Sequence, residues 1–251
     1  MTKPDIGFFV IGAARSGTTS LYRALEQHPD IFTPEVKEPR FFAGNWKLGW
    51  DWYSDIYANA PETAVLGDFS PNYTNTAEDT SNPVVRRMAE FYPQARLIYM
   101  VRNPIACAIS NWRMAAELRG ETIPFGQALE GDWAMGVYHR ACFFRQISAY
   151  RQVFSDDQIL AIPLEAMRAD PDTWMAKAHA HIGVRPHQTT FPRANASSRK
   201  PNRPGAPDVS RAERQKFLSM IRQDALSMLD YMDMPASLWS LSPNARDWTP
   251  A

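Results

Sequence analysis

"FFVIGAARSGTTSLYRAL" occupies residues 8–25 and contains the clearest structural pattern of the chain. A short apolar run ends at Gly12, four residues intervene, and Gly17 opens a stretch with the helical spacing of apolar residues. A continuous apolar run is typical of a strand that is buried on both faces. A glycine-flanked turn between such a strand and a helix is typical of a loop whose backbone N–H groups surround an anion. The sequence therefore predicts a strand, an anion-binding turn and a helix, in that order.

The cation of this turn differs from that of a nucleotide hydrolase. The hydrolase pattern G-x-x-x-x-G-K-[ST] places a lysine directly after the second glycine. Here Thr18 occupies the lysine position, and the cation is Arg15 inside the loop. No apolar run ends in a convincing magnesium-binding aspartate, so an ordinary kinase is disfavoured. A strand–helix turn without any ligand remains the structural alternative at this point.

The rest of the chain alternates strand and helix patterns. Further strands are predicted at residues 64–66, 96–101 and 159–164, and helices at residues 18–27, 84–91, 104–118, 137–153, 171–183 and 210–228. Such alternation favours one α/β domain with a mainly parallel central sheet flanked by helices. We predict a single domain over residues 1–251, with a nucleotide-binding core at about 6–183, a basic closing loop at about 193–208 and a C-terminal helix at about 210–230.

Composition limits the classes of partner. The 251 residues include 27 Lys and Arg against 27 Asp and Glu, so no overall field attracts nucleic acid or an anionic membrane. A hydrophobic content of 45% is that of a packed globular protein. No apolar stretch has the length of a membrane-spanning helix, and no signal-peptide pattern is present. We therefore expect a soluble, cytoplasmic protein with no membrane span and no nucleic-acid partner; the oligomeric state stays unknown.

A second anion-suited pattern follows a later strand. In "RLIYMVRNPIACAISNW", residues 96–112, Arg102 comes directly after an apolar run, Pro104 starts a helix, and Ser110 lies two turns into it. A guanidinium can bind a phosphate through two parallel hydrogen bonds, and a hydroxyl adds another donor. The structural alternative is a capping arginine and an exposed serine. Together with the first turn, the pattern indicates a nucleotide with phosphates at both ends of its ribose.

These motifs carry a family resemblance. "GAARSGTTSL", "KEPRFF", "GDFSPNY" and "VRNPIACAISNW" occur in that order between Gly12 and Trp112. The arrangement resembles the sulfotransferases that use 3′-phosphoadenosine 5′-phosphosulfate (PAPS), and within them the carbohydrate, heparan-type branch and its bacterial relatives. The resemblance implies a fold like that of the P-loop nucleoside triphosphate hydrolases, PAPS as co-substrate, adenosine 3′,5′-bisphosphate (PAP) as product, and no metal.

The resemblance also implies roles for individual residues. The 5′-phosphosulfate would be held by Arg15, Ser16, Gly17, Thr18, Thr19 and Ser20. The 3′-phosphate would be bound by Arg102 and Ser110, and the loop that closes over the nucleotide would contain Arg199, Lys200 and Arg203. Glu38 corresponds to the base that removes the acceptor proton, and its structural alternative is a solvated loop carboxylate. Asp68 is the second candidate for the base, or a group that positions the acceptor. The three residues expected to act in catalysis are thus Arg15, Glu38 and Asp68.

The chain departs from the family pattern at two positions. Arg15 stands where relatives usually carry lysine; its guanidinium stays charged but cannot donate a proton as lysine can. Relatives often read Glu-Lys before Ser-Pro, whereas this chain has Asp68 and Phe69. A cation that would help to hold an acidic glycan is therefore missing. This departure argues against a heparan-like acceptor but not against sulfuryl transfer.

The acceptor class and two other functions stay open. We expect a hydroxyl or amine on a small molecule, a lipid or a glycan. Aromatic residues at 46–53 are read as core or lid packing, with an acceptor wall as the second interpretation. The five histidines lack the partners of a metal site. The alternatives to a sulfotransferase are a kinase-type phosphotransferase and a nucleotide-binding protein without activity.

Overall fold

The computed structural model describes residues 3–75, 82–192 and 204–249. Within these ranges a parallel sheet has the strand order β2-β3-β1-β4-β5. Its strands are β1 (Ile6–Gly12), β2 (Ile31–Phe32), β3 (Val65–Asp68), β4 (Arg96–Val101) and β5 (Ile159–Pro163). The predicted fold class, an α/β fold with a mainly parallel sheet, is confirmed.

Among the described residues, one helix follows each of the first three strands, three follow β4 and three follow β5. The helices are α1 (Thr18–Leu25), α2 (Gly49–Asp55), α3 (Pro83–Phe91), α4 (Pro104–Arg119), α5 (Gly131–Val137), α6 (Phe143–Arg151), α7 (Leu164–Ala169), α8 (Pro171–Ile182) and α9 (Arg211–Tyr231). No helix among the described residues is both long enough and apolar enough to cross a lipid bilayer.

The chain divides into two compact units. The first comprises Met1–Val101 and Gln146–Ala194, and the second comprises Arg102–Arg145 and Asn195–Ala251. All five strands lie in the first unit, where Phe8 and Phe9 of β1 and Leu97 of β4 are fully buried. The continuous apolar runs of these strands are thus explained by a sheet covered on both faces. The single-domain organisation stays a prediction.

The ends of several helices obey local capping rules. Asp170 accepts a hydrogen bond from the backbone N–H of Thr173 and precedes a proline at the first position of α8. Gly183 ends that helix with φ of 87°. At α9, Ser210 and Glu213 form the predicted capping box. These boundaries were readable because the caps are local.

One predicted helix is wrong. The sequence predicted a continuous helix over residues 137–153, but the chain forms α5, a short 3₁₀ turn at His139–Ala141, and α6. Cys142 interrupts the helix with φ of −86° and ψ of 78°. Asp224 of α9 then accepts hydrogen bonds from the backbone N–H groups of Phe144 and Arg145, at 3.1 Å and 2.7 Å. The break is stabilised by a distant carboxylate, and no glycine or proline marks it in the sequence.

Candidate active site

The turn between β1 and α1 has the geometry of an anion-binding loop. Arg15 and Gly17 both have left-handed backbones, with φ of 69° and 94°. A side chain on Gly17 would also collide with Leu164, whose Cδ1 lies 2.7 Å from the position of a Cβ. A left-handed arginine is uncommon and costs about 1 kcal/mol or more. Such a conformation is typical of functional loops, where neighbouring N–H groups converge on a ligand.

Hydrogen-bond donors of this turn point to an anion. The first N–H groups of any helix have no partner inside the helix, and Gly17 at the N-cap of α1 offers no side chain to accept them. Ser16 is fully buried, and its Oγ has no hydrogen-bond partner within the described residues. Thr18 and Ser20 are also buried. A phosphate-like group fits the buried Ser16 hydroxyl at this helix N-terminus, because buried donors need an acceptor.

Glu38 is a half-buried carboxylate between two cations. Lys37 Nζ lies 3.1 Å from Glu38 Oε1, and Arg40 Nη2 lies 2.8 Å from Oε2. Burial raises the pKa of Glu38, but the hydrogen bond from Arg40 and the charge of Lys37 outweigh it, so the pKa lies below its ordinary value. Glu38 is therefore ionised near neutral pH, and each oxygen retains a lone pair that can accept a proton.

Asp68 is a fully buried carboxylate at the end of β3. The hydroxyls of Ser70, Tyr53 and Tyr73 donate to it at 2.6, 2.7 and 2.9 Å. Burial raises the pKa of Asp68 to about 6, although these hydrogen bonds lower it, and the charge of Glu38 raises it further. The predicted position of Asp68 at a strand end is confirmed. Both of its carboxylate oxygens accept hydrogen bonds from hydroxyl groups of the protein.

Asp68 is connected to the segment that carries Glu38. Ser70, which donates to Asp68, also accepts a hydrogen bond from the backbone N–H of Arg40 at 2.9 Å. The Tyr73 hydroxyl likewise accepts from the N–H of Phe42 at 3.4 Å. The two predicted carboxylates are thus linked by hydrogen bonds. The sequence contains no signal for this connection, because it joins segments about thirty residues apart.

The aromatic segment forms a cluster around Phe41. The Phe41 ring stacks on Tyr53, with centroids 4.2 Å apart, and contacts Trp46, Trp50 and Trp52. Phe41 and Tyr53 are fully buried, whereas the three tryptophans are partly exposed. The aromatic segment therefore packs as part of the core. An acceptor wall stays a prediction.

Arg102 directly precedes the N-cap of α4, and Ser110 lies two turns into that helix, in the second unit. Asn103, which is almost fully buried, accepts hydrogen bonds from the backbone N–H groups of Ile105 and Ala106 through its side-chain oxygen. Pro104 occupies the first helical position, as predicted. Sequence reasoning missed Asn103 as the N-cap, although an asparagine before proline is a recognisable helix-start signal. Arg102 and Ser110 are both partly exposed.

The remaining site predictions have different outcomes. Arg199, Lys200 and Arg203 lie outside the described residues. His28 packs against His179 and His187, with ring centroids 4.8 Å and 5.1 Å apart. Over the described ranges no group of three or more His, Cys, Asp or Glu side chains is arranged to hold a metal ion.

Comparison with known proteins supports the resemblance that the sequence indicated. A family model described as "Sulfotransferase family" matches residues 7–188. A mouse protein named bifunctional heparan sulfate N-deacetylase/N-sulfotransferase 4 is 30% identical over an alignment of 202 residues, and the match covers 72% of this chain and 22% of that protein. The chain also covers 45% of a mouse protein named heparan sulfate glucosamine 3-O-sulfotransferase 3A1, so it spans less than half the length of either relative.

Solved structures share the fold. A sulfotransferase from Alicyclobacillus acidocaldarius has a TM-score of 0.74 and 23% identity, with 95% of this chain and 99% of that chain covered. A mouse sulfotransferase complexed with PAP has a TM-score of 0.50 and 18% identity, with 75% and 62% covered. The predicted family resemblance and fold are thereby confirmed.

Proposed function

Because this chain belongs to the sulfotransferase family, we propose that it transfers the sulfuryl group of PAPS to a hydroxyl or amine of an acceptor. The observation that carries this proposal is the turn between β1 and α1. It places the left-handed Arg15 and Gly17 on either side of a buried serine at a helix N-terminus. Arg15 supplies the positive charge that a phosphosulfate group requires, and the backbone N–H groups supply hydrogen-bond donors.

The nucleotide would be held at both phosphorylated ends. Residues 15–20 would bind the 5′-phosphosulfate, and Arg102 with Ser110 would bind the 3′-phosphate. PAP in a mouse relative's structure supports this class of nucleotide. The buried Ser16 Oγ fits a ligand oxygen, because it has no acceptor or donor of its own within the described residues. Arg199, Lys200 and Arg203 are proposed, from the family resemblance alone, to contact the nucleotide.

Transfer would proceed by in-line attack on sulfur. The acceptor oxygen forms a bond to sulfur while the bond between sulfur and the bridging oxygen breaks, and the electron pair leaves with the nucleotide. Arg15 and the N-terminal amides of α1 would stabilise the charge that develops on the leaving oxygen. Arg15 would act through charge alone, since a guanidinium does not give up its proton at any relevant pH.

Glu38 would accept the proton that the acceptor hydroxyl loses. It is ionised near neutral pH and is partly exposed, with 29% of its side chain accessible. Asp68 would instead support the Glu38 segment, because its carboxylate is fully buried and already accepts three hydroxyl hydrogen bonds. This assignment separates the two carboxylates that the sequence alone left as competing bases.

The acceptor would be a small molecule, lipid or glycan without a high density of negative charge. The heparan sulfate relatives support a glycan. The Lys37 and Arg40 side chains, however, are paired with Glu38. Phe69 stands where relatives often have a lysine, and it is fully buried against Phe8 and Tyr22. We therefore favour an uncharged or weakly charged acceptor.

Two measurements test the proposal. Isothermal titration should show clearly tighter binding of PAP than of adenosine 5′-monophosphate (AMP), because only PAP carries the 3′-phosphate. Incubation with labelled PAPS and a metabolite extract should transfer label to a new product that mass spectrometry identifies. Magnesium-dependent turnover of ATP would instead support a kinase. PAP binding without transfer to any acceptor in a broad panel would support a catalytically silent nucleotide-binding protein.

A further inference from the structure

The last turn of the described chain is anchored within the second unit. Trp248, in a short 3₁₀ turn at Arg246–Trp248, is 1% exposed. Its ring packs edge to face on Phe125 and Phe217, with centroids 6.0 Å and 5.8 Å apart, and its indole N–H donates to the Ser242 carbonyl. An aromatic side chain buried in this way fixes the backbone of its neighbours. Asp247, directly before Trp248, is therefore held in place.

Asp247 contacts the chain beside Arg102, the first of the two residues proposed to bind the 3′-phosphate. The side-chain N–H of Asn103 donates to Asp247 Oδ2 at 3.2 Å, while the oxygen of the same carboxamide caps α4. Asn103 is the residue next to Arg102. Burial raises the pKa of the half-buried Asp247, and the positive charge of Arg102 opposes this rise. The Asp247 carboxylate thus accepts a hydrogen bond from Asn103 and lies near enough to Arg102 for its charge to act on the carboxylate.

We propose that Asp247 is a positioning residue of the 3′-phosphate site: it orients Arg102 and, through Asn103, the first turn of the helix that carries Ser110. This inference rests on the proposed function, in which Arg102 and Ser110 bind that phosphate. Asp247 lies outside residues 7–188, the part of the chain that the family model matches. The resemblance therefore gave no role to this residue.

The role follows from the properties of an arginine side chain. A long, flexible side chain loses rotamer freedom when it binds a phosphate, and a partner that already orients it reduces this loss. A guanidinium has donors on more than one edge, so one edge can face Asp247 while another faces a ligand. Since the Asn103 carboxamide uses its N–H on Asp247 and its oxygen on α4, the same contact fixes the helix start.

Binding of PAP and AMP to variants of the whole chain tests the role. Removing the carboxylate in Asp247→Ala should reduce the preference for PAP over AMP roughly tenfold, because only PAP has the 3′-phosphate. Asp247→Asn keeps an oxygen that accepts from Asn103 but removes the charge near Arg102, so it should retain only part of the preference. Arg102→Ala should lose it. Asp230→Ala, which removes an exposed carboxylate of α9, is the matched control and should bind as the unmodified chain does.

Each other outcome is decisive. If the unmodified chain shows no preference for PAP, the proposed function itself fails. If that preference exists and is lost in Arg102→Ala but unchanged in Asp247→Ala, Asp247 has no positioning role. Equal weakening of PAP and AMP in Asp247→Ala, with a lowered unfolding midpoint, would show a structural role only. Tighter PAP binding in both Asp247 variants would show that the carboxylate competes with the phosphate, which also overturns the inference.

Discussion

Glu38 and Asp68 carry the same functional group in opposite surroundings. Glu38 is partly exposed between two cations, which hold its pKa below the ordinary value despite partial burial. Asp68 is inaccessible, and burial raises its pKa to about 6. A carboxylate that must meet an acceptor needs an open path, whereas one that must hold backbone in place needs fixed donors. The surroundings therefore assign proton transfer to Glu38 and support to Asp68.

Replacement of each carboxylate by its amide should separate these roles. Glu38→Gln removes the base and should lower kcat by about a hundredfold or more, with PAP affinity and the free energy of unfolding nearly unchanged. Asp68→Asn replaces a buried oxygen acceptor by a group that can donate toward the hydroxyls of Tyr53, Tyr73 or Ser70. It should lower the free energy of unfolding by about 1–3 kcal/mol. Steady-state kinetics, PAP titration and urea unfolding measure the three quantities.

Glu35→Gln provides the control for the first substitution, since Glu35 is an exposed glutamate of the same segment. It should leave kcat unchanged. The assignment would be reversed by a nearly normal kcat in Glu38→Gln together with a large loss in a fully stable Asp68→Asn variant.

At the scale of elements, local signals predicted what local forces determine. The strand at β4 and the helices α3, α4, α8 and α9 lie close to their predicted positions, because their caps, prolines and apolar runs are read within a few residues. The two-residue strand β2 and helix α2 were not predicted. A strand as short as β2 carries too little pattern, and its existence depends on pairing with β3.

The candidate site divides in the same way. The turn at residues 12–20 could be predicted because its glycines and hydroxyls are adjacent in sequence. The hydrogen bonds from Asp68 through Ser70 to Arg40, and from Asn103 to Asp247, could not, since each joins distant parts of the chain. The last of these spans 144 residues. Side-chain contacts of this kind follow from tertiary packing, which no local pattern records.

The break before α6 should depend on Asp224. Its carboxylate caps the helix by accepting from Phe144 and Arg145. Asp224→Ala leaves these N–H groups without an acceptor and should lower the free energy of unfolding by about 1–3 kcal/mol. Asp224→Asn keeps one acceptor oxygen and should cost less. Asp230→Ala, an exposed position of the same helix, controls for the loss of an acid. If Asp224→Ala unfolds in urea as the unmodified chain does, the Asp224 carboxylate does not stabilise the break before α6.

For the whole molecule, different buried ionisable groups have opposite effects on the free energy of unfolding as the pH falls below neutral. Burial lowers the pKa of His179 to about 4, and the nearby His28 and His187 lower it further. The unfolded state then binds more protons than the folded state between about pH 6.5 and 4, so this histidine reduces stability as the pH falls. Asp68 and Asp224, each raised to about 6 by burial, bind protons more tightly when folded and have the opposite effect over nearly the same interval.

The histidine contribution can be isolated by comparing two proteins at two pH values. His179→Gln cannot be protonated, whereas both proteins share the opposing contributions of Asp68 and Asp224, which cancel in the difference. His179 is 1% exposed, and its Nε2 has no hydrogen-bond partner within the described residues, so the replacement should cost stability at about pH 7.5 mainly through packing. At about pH 5 the unmodified chain has lost the stability that depends on a neutral His179. The destabilisation caused by His179→Gln should therefore be about 1–2 kcal/mol smaller at the lower pH, as urea unfolding would measure. An equal or larger destabilisation at pH about 5 would mean that burial does not keep His179 neutral in the folded protein.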